Sequence, residues 1–266
     1  MPFPDIDPIA FQLGPLAVRW YALAYLAGFV ASWAWLKRIV RSTGGKPDER
    51  DIDDFLTWAV IGVILGGRLG YVMIYNSAHY LTHPAEILMI WRGGMSFHGG
   101  LLGVLIVLWI FSHRRGYGFF TIGDPLVCVA PVGLFFGRLA NFVNGELFGR
   151  PTDGPFGVVF PGESFARHPS QLYEALLEGV LLLILMMTAR RYPFFRDRPG
   201  ALSGLFFVGY SLVRFTVEFV RMPDSQIGFV IGPLTMGHLL SIPMTAFGLW
   251  LMLRFCVDKK IKENRK

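Results

Sequence analysis

The chain has 266 residues, of which 53% are hydrophobic and only 17% are charged, whereas ordinary soluble domains carry about 25% charged residues. The apolar residues form long continuous blocks, which excludes an ordinary soluble domain and favours membrane-spanning helices over the alternating strands of a barrel. The formal net charge of +6 does not indicate a nucleic-acid partner, because the cations are divided among separate loops.

Seven apolar blocks are candidates for membrane spans, since a spanning helix needs about 20 mostly apolar residues. They cover residues 17–36, 55–75, 97–111, 125–143, 172–188, 201–220 and 236–253. The third block is short and carries His98, so we expect its start near the membrane interface. Residues 85–91 are apolar but too few to span, and we expect them along the membrane surface. The predicted fold class is all-α, a polytopic membrane protein with about seven transmembrane helices.

The distribution of basic residues predicts the orientation. Seventeen of the 25 Lys and Arg residues lie in the first, third and fifth connections and in the C-terminal tail. Because cytoplasmic loops are enriched in Lys and Arg, we predict that the N-terminus lies outside and the C-terminus in the cytoplasm. We expect a single integral membrane domain, residues 1–266, with outer loops 76–94 and 145–170 forming a small cap. Long loops of this kind tend to be functional.

A first polar cluster stands at the predicted outer end of the fourth span. Arg138 and Asn141 lie three residues apart and share a helical face, and Glu146 follows the turn at Asn144 and Gly145. Polar groups are costly inside a membrane and by default suggest function. A guanidinium can grip a phosphate with two parallel hydrogen bonds, so we interpret Arg138 as a phosphate ligand. The alternative is an Arg138–Glu146 ion pair that only ties the helix to the loop.

A second cluster lies in the sixth span, where the spacing of Arg214, Glu218 and Arg221 predicts that all three charges share one helical face. The alternative is a structural ion pair between Arg214 and Glu218. Buried pairs are often no more stabilising than a well-packed apolar replacement, so stability alone gives an apolar helix little reason to keep the pair. Tyr210 of the same span is a further candidate ligand for a lipid substrate.

Two histidine-containing segments complete the set. His98 stands among glycines that let backbone or ligand approach closely, and because a histidine ring can exchange a proton near neutral pH, it is a candidate base. The segment that begins at His168 carries Glu174 and Glu178, which align at i and i+4 on a helix. The favoured interpretation of this second segment is helix capping and helix positioning.

The remaining polar residues and the cysteines give weaker indications of function. Tyr21 adds a polar group to the first span, and Arg68 adds one to the second that is expected to be structural. The histidines lack the spacing of metal ligands, so no metal site is predicted. There is no Gly-rich loop between a strand and a helix, so a nucleotide is not expected. The two cysteines are too few for a disulfide framework.

The segment 137–149 reads Gly-Arg-x-x-Asn-Phe-x-Asn-x-Glu-x-x-Gly. It resembles the intact signature of the prolipoprotein diacylglyceryl transferase family. The stretches around Tyr21, Gly67-Arg68 and His98, and residues 168–171 and 214–218, also look like blocks of that family in the expected order. The resemblance covers nearly the whole chain, from residue 5 to the last span.

The resemblance implies a transferase in the bacterial cytoplasmic (inner) membrane, with its active site near the outer leaflet. The donor would be phosphatidylglycerol, and the acceptor would be the thiol of the lipobox cysteine in a preprolipoprotein signal peptide. The products would be a thioether-linked diacylglyceryl cysteine and glycerol phosphate. This reaction would be the first step of bacterial lipoprotein maturation, and no soluble cofactor is expected.

The resemblance also implies which residues act. The equivalents implicated in activity are Tyr21, Arg138, Asn141, Glu146, Gly149, Arg214 and Glu218, with His98 often proposed as the base. We therefore expect the catalytic residues to be His98, Arg138, Glu146, Arg214, Glu218 and Tyr21. We expect phosphatidylglycerol to contact Arg138, Asn141, Asn144, Gly149, Arg214 and Tyr210.

The residue pattern fits that chemistry, and two alternatives remain open. A thiolate is the true nucleophile, and a departing phosphate needs fixed cations for its growing charge. Because both substrates are anchored in the membrane, the site should open sideways to lipid. A transporter or flippase for an anionic lipid would also place arginines towards a cavity, although the sequence lacks the paired broken helices that favour one. A different membrane transferase with a lipid-phosphate donor is the second alternative.

Overall fold

The computed structural model describes residues 1–4, 6–223 and 228–263, with the backbone alone of residue 16 and of residues 255–263. The described chain is mostly helical, and within it six helices are long and apolar enough to cross a membrane, while a seventh apolar helix is shorter. The predicted all-α membrane fold with about seven such helices is confirmed, whereas the orientation of the termini stays a prediction. Residues 224–227 of the predicted outer connection and residues 264–266 of the basic tail lie outside the described residues.

The helices follow the predicted apolar blocks. In chain order they are α1 (Trp20–Arg41), α2 (Glu49–Ile74), α3 (Ser77–Thr82), α4 (Phe97–Arg114), α5 (Phe119–Val143), α6 (Ser170–Glu174), α7 (Leu182–Ala189), α8 (Pro193–Arg196), α9 (Ala201–Val217) and α10 (Met236–Glu263). A π-helical turn, Ala175–Leu181, joins α6 to α7, so the fifth predicted span is one continuous helix. The apolar segment that is too short to span forms two 3-10 turns, Pro84–Leu88 and Ile90–Arg92.

Two short antiparallel hairpins accompany the helices, although no strand was expected. They are β1 (Ile9–Leu13) with β2 (Leu16–Arg19), and β3 (Phe229–Ile231) with β4 (Leu234–Thr235). Apolar composition places the start of the first span at residue 17, but residues 17–19 belong to β2 and α1 starts at Trp20. Both hairpins turn at a glycine with positive φ, Gly14 and Gly232, a conformation that glycine adopts at little cost.

The contacts divide the chain into two compact units, residues 37–123 and residues 1–36 with 124–266. In the smaller unit α2 packs along α4, and glycines bring the two backbones together. A Cβ atom on Gly66 would lie only 2.9 Å from Gly103 Cα, closer than real side chains allow. Small residues of this kind let membrane helices approach closely.

Arg68 has a structural use in the smaller unit, as expected. Its guanidinium is buried and donates from Nε to Ile87 O at 2.7 Å, from Nη2 to Glu86 O at 2.6 Å and from Nη1 to Gly93 O at 2.6 Å. Backbone carbonyls away from water need such partners. Arg68 therefore fixes the connection between α3 and α4.

In the larger unit, α9 packs along α10. A side chain of α5 caps the start of α9. Asp124 on α5 is buried and accepts hydrogen bonds from Gly200 N at 2.7 Å and Ser203 N at 2.9 Å. An acidic side chain that accepts these N–H groups stabilises the start of a helix. These two hydrogen bonds tie the start of α9 to α5.

The N-terminal segment lies against the long connection between α5 and α6. The Met1 amino group donates to Gly157 O at 2.7 Å, and Phe3 N donates to Val159 O at 3.2 Å. The N-terminus and the connection 145–170 therefore lie on the same side of the membrane, as the distribution of basic residues predicts. Which side this is stays a prediction.

Candidate functional site

Buried charged side chains gather around Glu174, the last residue of α6. Glu174 is fully buried, and its carboxylate contacts three guanidinium groups. Its Oε2 atom lies 2.8 Å from Arg138 Nε and 3.4 Å from Arg214 Nη1. Its Oε1 atom lies 2.9 Å from Arg221 Nη1. Residues from α5, from α9 and from the turn beyond α9 thus converge on one carboxylate.

Two further carboxylates accompany these arginines. Glu178 is also fully buried, and its Oε2 atom lies 3.3 Å from Arg138 Nη2. Glu218 Oε2 lies 2.5 Å from Arg214 Nη2. We call this set the arginine–glutamate cluster, and its members are Arg138, Arg214, Arg221, Glu174, Glu178 and Glu218. Three cations face three carboxylates, so loss of any one member would leave an uncompensated buried charge.

The π-helical turn that follows Glu174 controls how close α5 can come. A Cβ atom on Gly179 in this turn would lie 2.7 Å from Phe135 Cβ, so only glycine allows the approach. Phe135 precedes Arg138 by about one helical turn on α5. The close approach therefore brings the Arg138 side chain within reach of Glu174 and Glu178. Single π-helical turns are frequent at functional sites.

Each arginine of the cluster keeps N–H groups that the protein does not use. A guanidinium has five N–H donors. Within the described residues, Arg138 Nη1, Arg214 Nε and Arg221 Nη2 donate no hydrogen bond, and the three side chains are 17%, 17% and 12% exposed. Fixed guanidinium groups with spare, accessible donors are suited to bind a phosphate group.

A second group of polar side chains surrounds the start of the connection after α5. Glu146 Oε1 accepts a hydrogen bond from Asn141 Nδ2 at 2.9 Å and one from Asn144 Nδ2 at 3.4 Å. Gln171 Nε2 donates to the Glu146 carbonyl oxygen at 2.6 Å. Both Glu146 and Asn144 are exposed. An oriented and accessible carboxylate therefore stands at the end of α5.

Gly149 occupies a position where no side chain fits. Its N–H donates to His168 O at 2.8 Å, and it forms an antiparallel bridge with Arg221. A Cβ atom there would lie 2.8 Å from His168 Cβ and 2.9 Å from His168 O. Glycine is thus required because any side chain would clash with the neighbouring backbone. The bridge at this position also holds Arg221 at the cluster. Contact of Gly149 with a lipid stays a prediction.

The two tyrosines singled out in the sequence lie in the same unit as the cluster. Tyr21 is half-buried at the start of α1, and its hydroxyl donates to Tyr25 Oη at 3.2 Å. The Tyr210 ring stacks on Phe206 of α9 at a centroid distance of 5.9 Å. Their roles in substrate contact stay predictions.

His98 belongs to the smaller unit, so it lies outside the unit that carries the cluster. It is exposed on the first turn of α4, and its ring packs edge-on against Phe97 at 5.5 Å. Within the described residues the ring makes no hydrogen bond, so no fixed partner orients it. Its role as a base stays a prediction.

The contacts change three interpretations of the sequence. The structural alternative predicted an ion pair between Arg138 and Glu146. Arg138 instead pairs with Glu174 and Glu178. These two glutamates do not act as helix caps, since both are fully buried against arginines. The sequence did contain a signal that these glutamates pair with arginines, because two carboxylates four residues apart inside an apolar span need cations from other helices.

The third change concerns the end of α9. The expected pair of Arg214 with Glu218 is present. Arg221 does not share their helical face, because α9 ends at Val217 and Arg221 lies beyond a turn. It nevertheless reaches Glu174, since its backbone bridges to Gly149.

Comparisons with known proteins match almost the whole chain. The family model described as "Prolipoprotein diacylglyceryl transferase" matches residues 8–254. The chain is 55% identical over 253 residues to the phosphatidylglycerol–prolipoprotein diacylglyceryl transferase of Azospirillum brasilense, covering 94% of each chain. It is 53% identical over 252 residues, again 94% of each chain, to the protein of the same name from Paramagnetospirillum magneticum. The protein of that name from Rhodospirillum centenum is 50% identical over 258 residues, 96% of this chain and 93% of that protein.

Proposed function

The chain belongs to the prolipoprotein diacylglyceryl transferase family, and from this premise we propose how its arginines serve the reaction. The protein is a membrane transferase that moves the diacylglyceryl group of phosphatidylglycerol to a prolipoprotein. We infer that the acceptor is the lipobox cysteine of the signal peptide and that the site lies near the outer leaflet. The observation that carries this assignment is the arginine–glutamate cluster, whose guanidinium groups keep spare N–H donors.

In the proposed reaction, the cysteine thiolate attacks the glyceryl carbon that bears the phosphate ester. A C–S bond forms, the bond from that carbon to the phosphate oxygen breaks, and glycerol phosphate leaves with the bonding electrons. A base takes the thiol proton, because the thiolate is the nucleophile. The departing phosphate gains one negative charge, so the step is accelerated by cations that are already in place.

We assign the departing phosphate to Arg138 and Arg214. Glu174 and Glu218 hold the two guanidinium groups before the lipid arrives. Arg138 Nη1 and Arg214 Nε, which have no hydrogen-bond partner in the described residues, would donate to the phosphate oxygens. Preorganised donors of this kind need no reorganisation as the charge develops. Arginine also stays protonated in a dry site.

The exposed carboxylate of Glu146 is proposed to act on the uncharged groups of the substrates, which are the glycerol hydroxyls and the cysteine thiol. Asn141 and Asn144 hold its Oε1 atom, which leaves Oε2 to accept a hydroxyl of the glycerol head group or the thiol proton. His98 is the other candidate for the base, since its ring has no hydrogen bond within the described residues. Tyr21, Tyr210 and Gly149 are proposed to line the path of the lipid.

The test is transfer to a lipobox peptide in nanodiscs that contain phosphatidylglycerol labelled in its acyl chains. We expect the peptide cysteine to gain the mass of one diacylglyceryl group, with release of glycerol phosphate. A peptide with serine in place of the cysteine is the control and should gain nothing. Movement of labelled lipid between leaflets without modification of the peptide would contradict the proposal and support the transporter alternative.

A further inference from the structure

The turn that starts α10 lies directly against Glu218 and has no part in the mechanism described above. Thr235 donates its hydroxyl to Glu218 Oε1 at 2.7 Å. Gly237 lies so close that a Cβ atom there would be 2.6 Å from both carboxylate oxygens. Both Thr235 and Glu218 are buried. One carboxylate oxygen of Glu218 is therefore occupied by Thr235, the last residue of β4, and the other faces Arg214.

The hydroxyl of Thr235 does not act as an ordinary helix cap. A threonine that caps a helix accepts, through its hydroxyl oxygen, an N–H group from the first turn. Within the described residues, no backbone N–H of α10 donates to Thr235 Oγ1. The Thr235 N–H instead donates to His238 Nδ1 at 3.2 Å, and the buried His238 ring also lies 3.1 Å from Thr235 Oγ1. The ring thus holds the backbone of Thr235, and the hydroxyl of Thr235 donates to Glu218.

The hydrogen bond to Glu218 bears on how Arg214 is oriented. With Oε1 held by Thr235, Glu218 Oε2 points to Arg214 Nη2 at 2.5 Å. Arg214 Nη1 lies 3.4 Å from Glu174 on the other side. These two contacts engage both terminal nitrogens and leave Nε without a hydrogen bond in the described residues. The plane of the guanidinium group is therefore defined by two carboxylates, one of which depends on Thr235.

We propose that Thr235 is a positioning residue for diacylglyceryl transfer, which sets the Glu218 carboxylate and, through it, the guanidinium of Arg214. Gly237 contributes to the same positioning of Glu218, because only glycine leaves room for the carboxylate at the start of α10. The inference rests on the proposed assignment of the departing phosphate to Arg214. It concerns orientation before the reaction, so loss of the hydroxyl should reduce kcat more than it raises KM for phosphatidylglycerol.

Two substitutions at Thr235 separate the hydroxyl from the methyl group. Thr235→Val keeps the shape and removes the hydrogen bond, and we expect kcat to fall about ten-fold or more, since hydrogen bonds to charged groups are among the stronger ones. Thr235→Ser keeps the hydroxyl and should stay within about three-fold of the wild-type kcat. Thr245→Val, on the helix α10 that follows Thr235, is the matched control, because it removes a hydroxyl that contacts Ser241 O and Ser211 but not Glu218.

A substitution at Gly237 provides a second route to the same question. Gly237→Ala should displace the Glu218 carboxylate and reduce kcat, although alanine favours a helix more than glycine does. Gly133→Ala on α5 is its control, because a Cβ atom there meets nothing within 4 Å. If Thr235→Val does not fold, the comparison of Gly237→Ala with Gly133→Ala decides the matter.

The measurements are the initial rate per folded molecule against phosphatidylglycerol concentration, in nanodiscs, with a melting curve for each variant. A loss of kcat in Thr235→Val and Gly237→Ala, with both controls and Thr235→Ser near wild type, supports the inference. Wild-type kcat in Thr235→Val, or an equal loss in Thr235→Ser or Thr245→Val, overturns it. Absence of transfer by the wild-type protein would instead overturn the proposed function, so the two failures are distinguishable.

Discussion

At the scale of single residues, the position of Glu174 explains why three arginines are retained in or beside apolar helices. One buried carboxylate orients Arg138, Arg214 and Arg221, and each arginine keeps unused N–H groups. A purely structural cluster would gain little from this arrangement, because buried ion pairs seldom stabilise more than apolar packing does. A cluster that must hold a charged substrate needs cations fixed in advance.

We expect Arg138→Lys to be nearly inactive although it keeps the charge. The Arg138 fork contacts Glu174 through Nε and Glu178 through Nη2, and a lysine has no planar fork to hold both and still offer a donor to phosphate. The loss of transition-state stabilisation should be about 3–4 kcal/mol, or a few hundred-fold in rate. The measurement is the transfer rate per folded molecule, with a melting curve alongside.

A matched control for this prediction is Arg115→Lys, which alters an arginine that contacts Asp51 at 2.9 Å and also Asp54, in the smaller unit. It should change stability slightly and leave the rate per folded molecule unchanged. A folded Arg138→Lys protein that works at the wild-type rate would remove the phosphate assignment. It would leave the structural alternative, in which Arg138 contributes only to stability.

Two glutamates of the cluster should differ in how much they contribute to stability. Glu174→Gln keeps the shape of the side chain but leaves three guanidinium groups without their shared charge, so we expect a loss of about 3–5 kcal/mol in the free energy of unfolding. Glu178→Gln removes a charge that contacts one arginine, at 3.3 Å, and should cost less. Melting curves in detergent measure both effects. An equal or larger loss in Glu178→Gln would contradict the central position given to Glu174.

At the scale of the elements, the helices were predictable and the hairpins were not. Continuous apolar blocks of about 20 residues indicate membrane helices, and each predicted block corresponds to a helix within the described residues. Ala17 and Val18 are equally apolar but belong to β2, because this strand pairs with β1 across the turn at Gly14. Composition averaged over a window does not detect such a short local pairing.

The packing of α2 on α4 leads to a prediction at this scale. Gly103→Ala should destabilise the protein, because a Cβ atom there would clash with the backbone of Gly62 and lie 3.2 Å from Gly66 Cα. Overpacking of this kind typically costs about 1–3 kcal/mol. Gly100→Ala, on the same helix, is the control, since its nearest neighbour would be Val63 O at 3.6 Å. Equal melting temperatures for the two variants would contradict the proposed close contact.

At the scale of the whole molecule, the contacts and the distribution of Lys and Arg together predict the orientation in the membrane. The bonds of Met1 and Phe3 to the connection 145–170 place the N-terminus and that connection on one side. Because cytoplasmic loops are enriched in Lys and Arg, the sequence predicts that this side is the outside. Glu146 belongs to this connection, and Arg221 of the arginine–glutamate cluster bridges to it at Gly149, so this orientation predicts that both lie towards the outer side.

Cysteine labelling tests this orientation. In a variant without Cys128 and Cys256, a cysteine at Asp153 should react with a membrane-impermeant reagent added outside intact cells, because Asp153 is exposed in the connection 145–170. A cysteine at Lys46, whose side chain is 64% exposed on the predicted inner side, should react only after the membrane is opened. Labelling of intact cells at Lys46 would overturn the predicted orientation.

The sequence by itself determined the membrane fold, the approximate helices and, through the ordered family motifs, the reaction. These properties depend on apolar blocks and on short motifs, both of which are local in the chain. It also singled out Arg138, Arg214 and Glu218, because isolated charges in apolar helices are conspicuous.

Only the tertiary structure decided which carboxylate meets which arginine. Glu174 and Glu178 looked like residues of a helix start until α5 and α9 were seen to pack against them. The contact of Thr235 with Glu218 likewise depends on how α10 begins against the end of α9. The physical reason is that the partner of a buried charge is chosen by the packing of distant helices, which spacing along a single helix does not reveal.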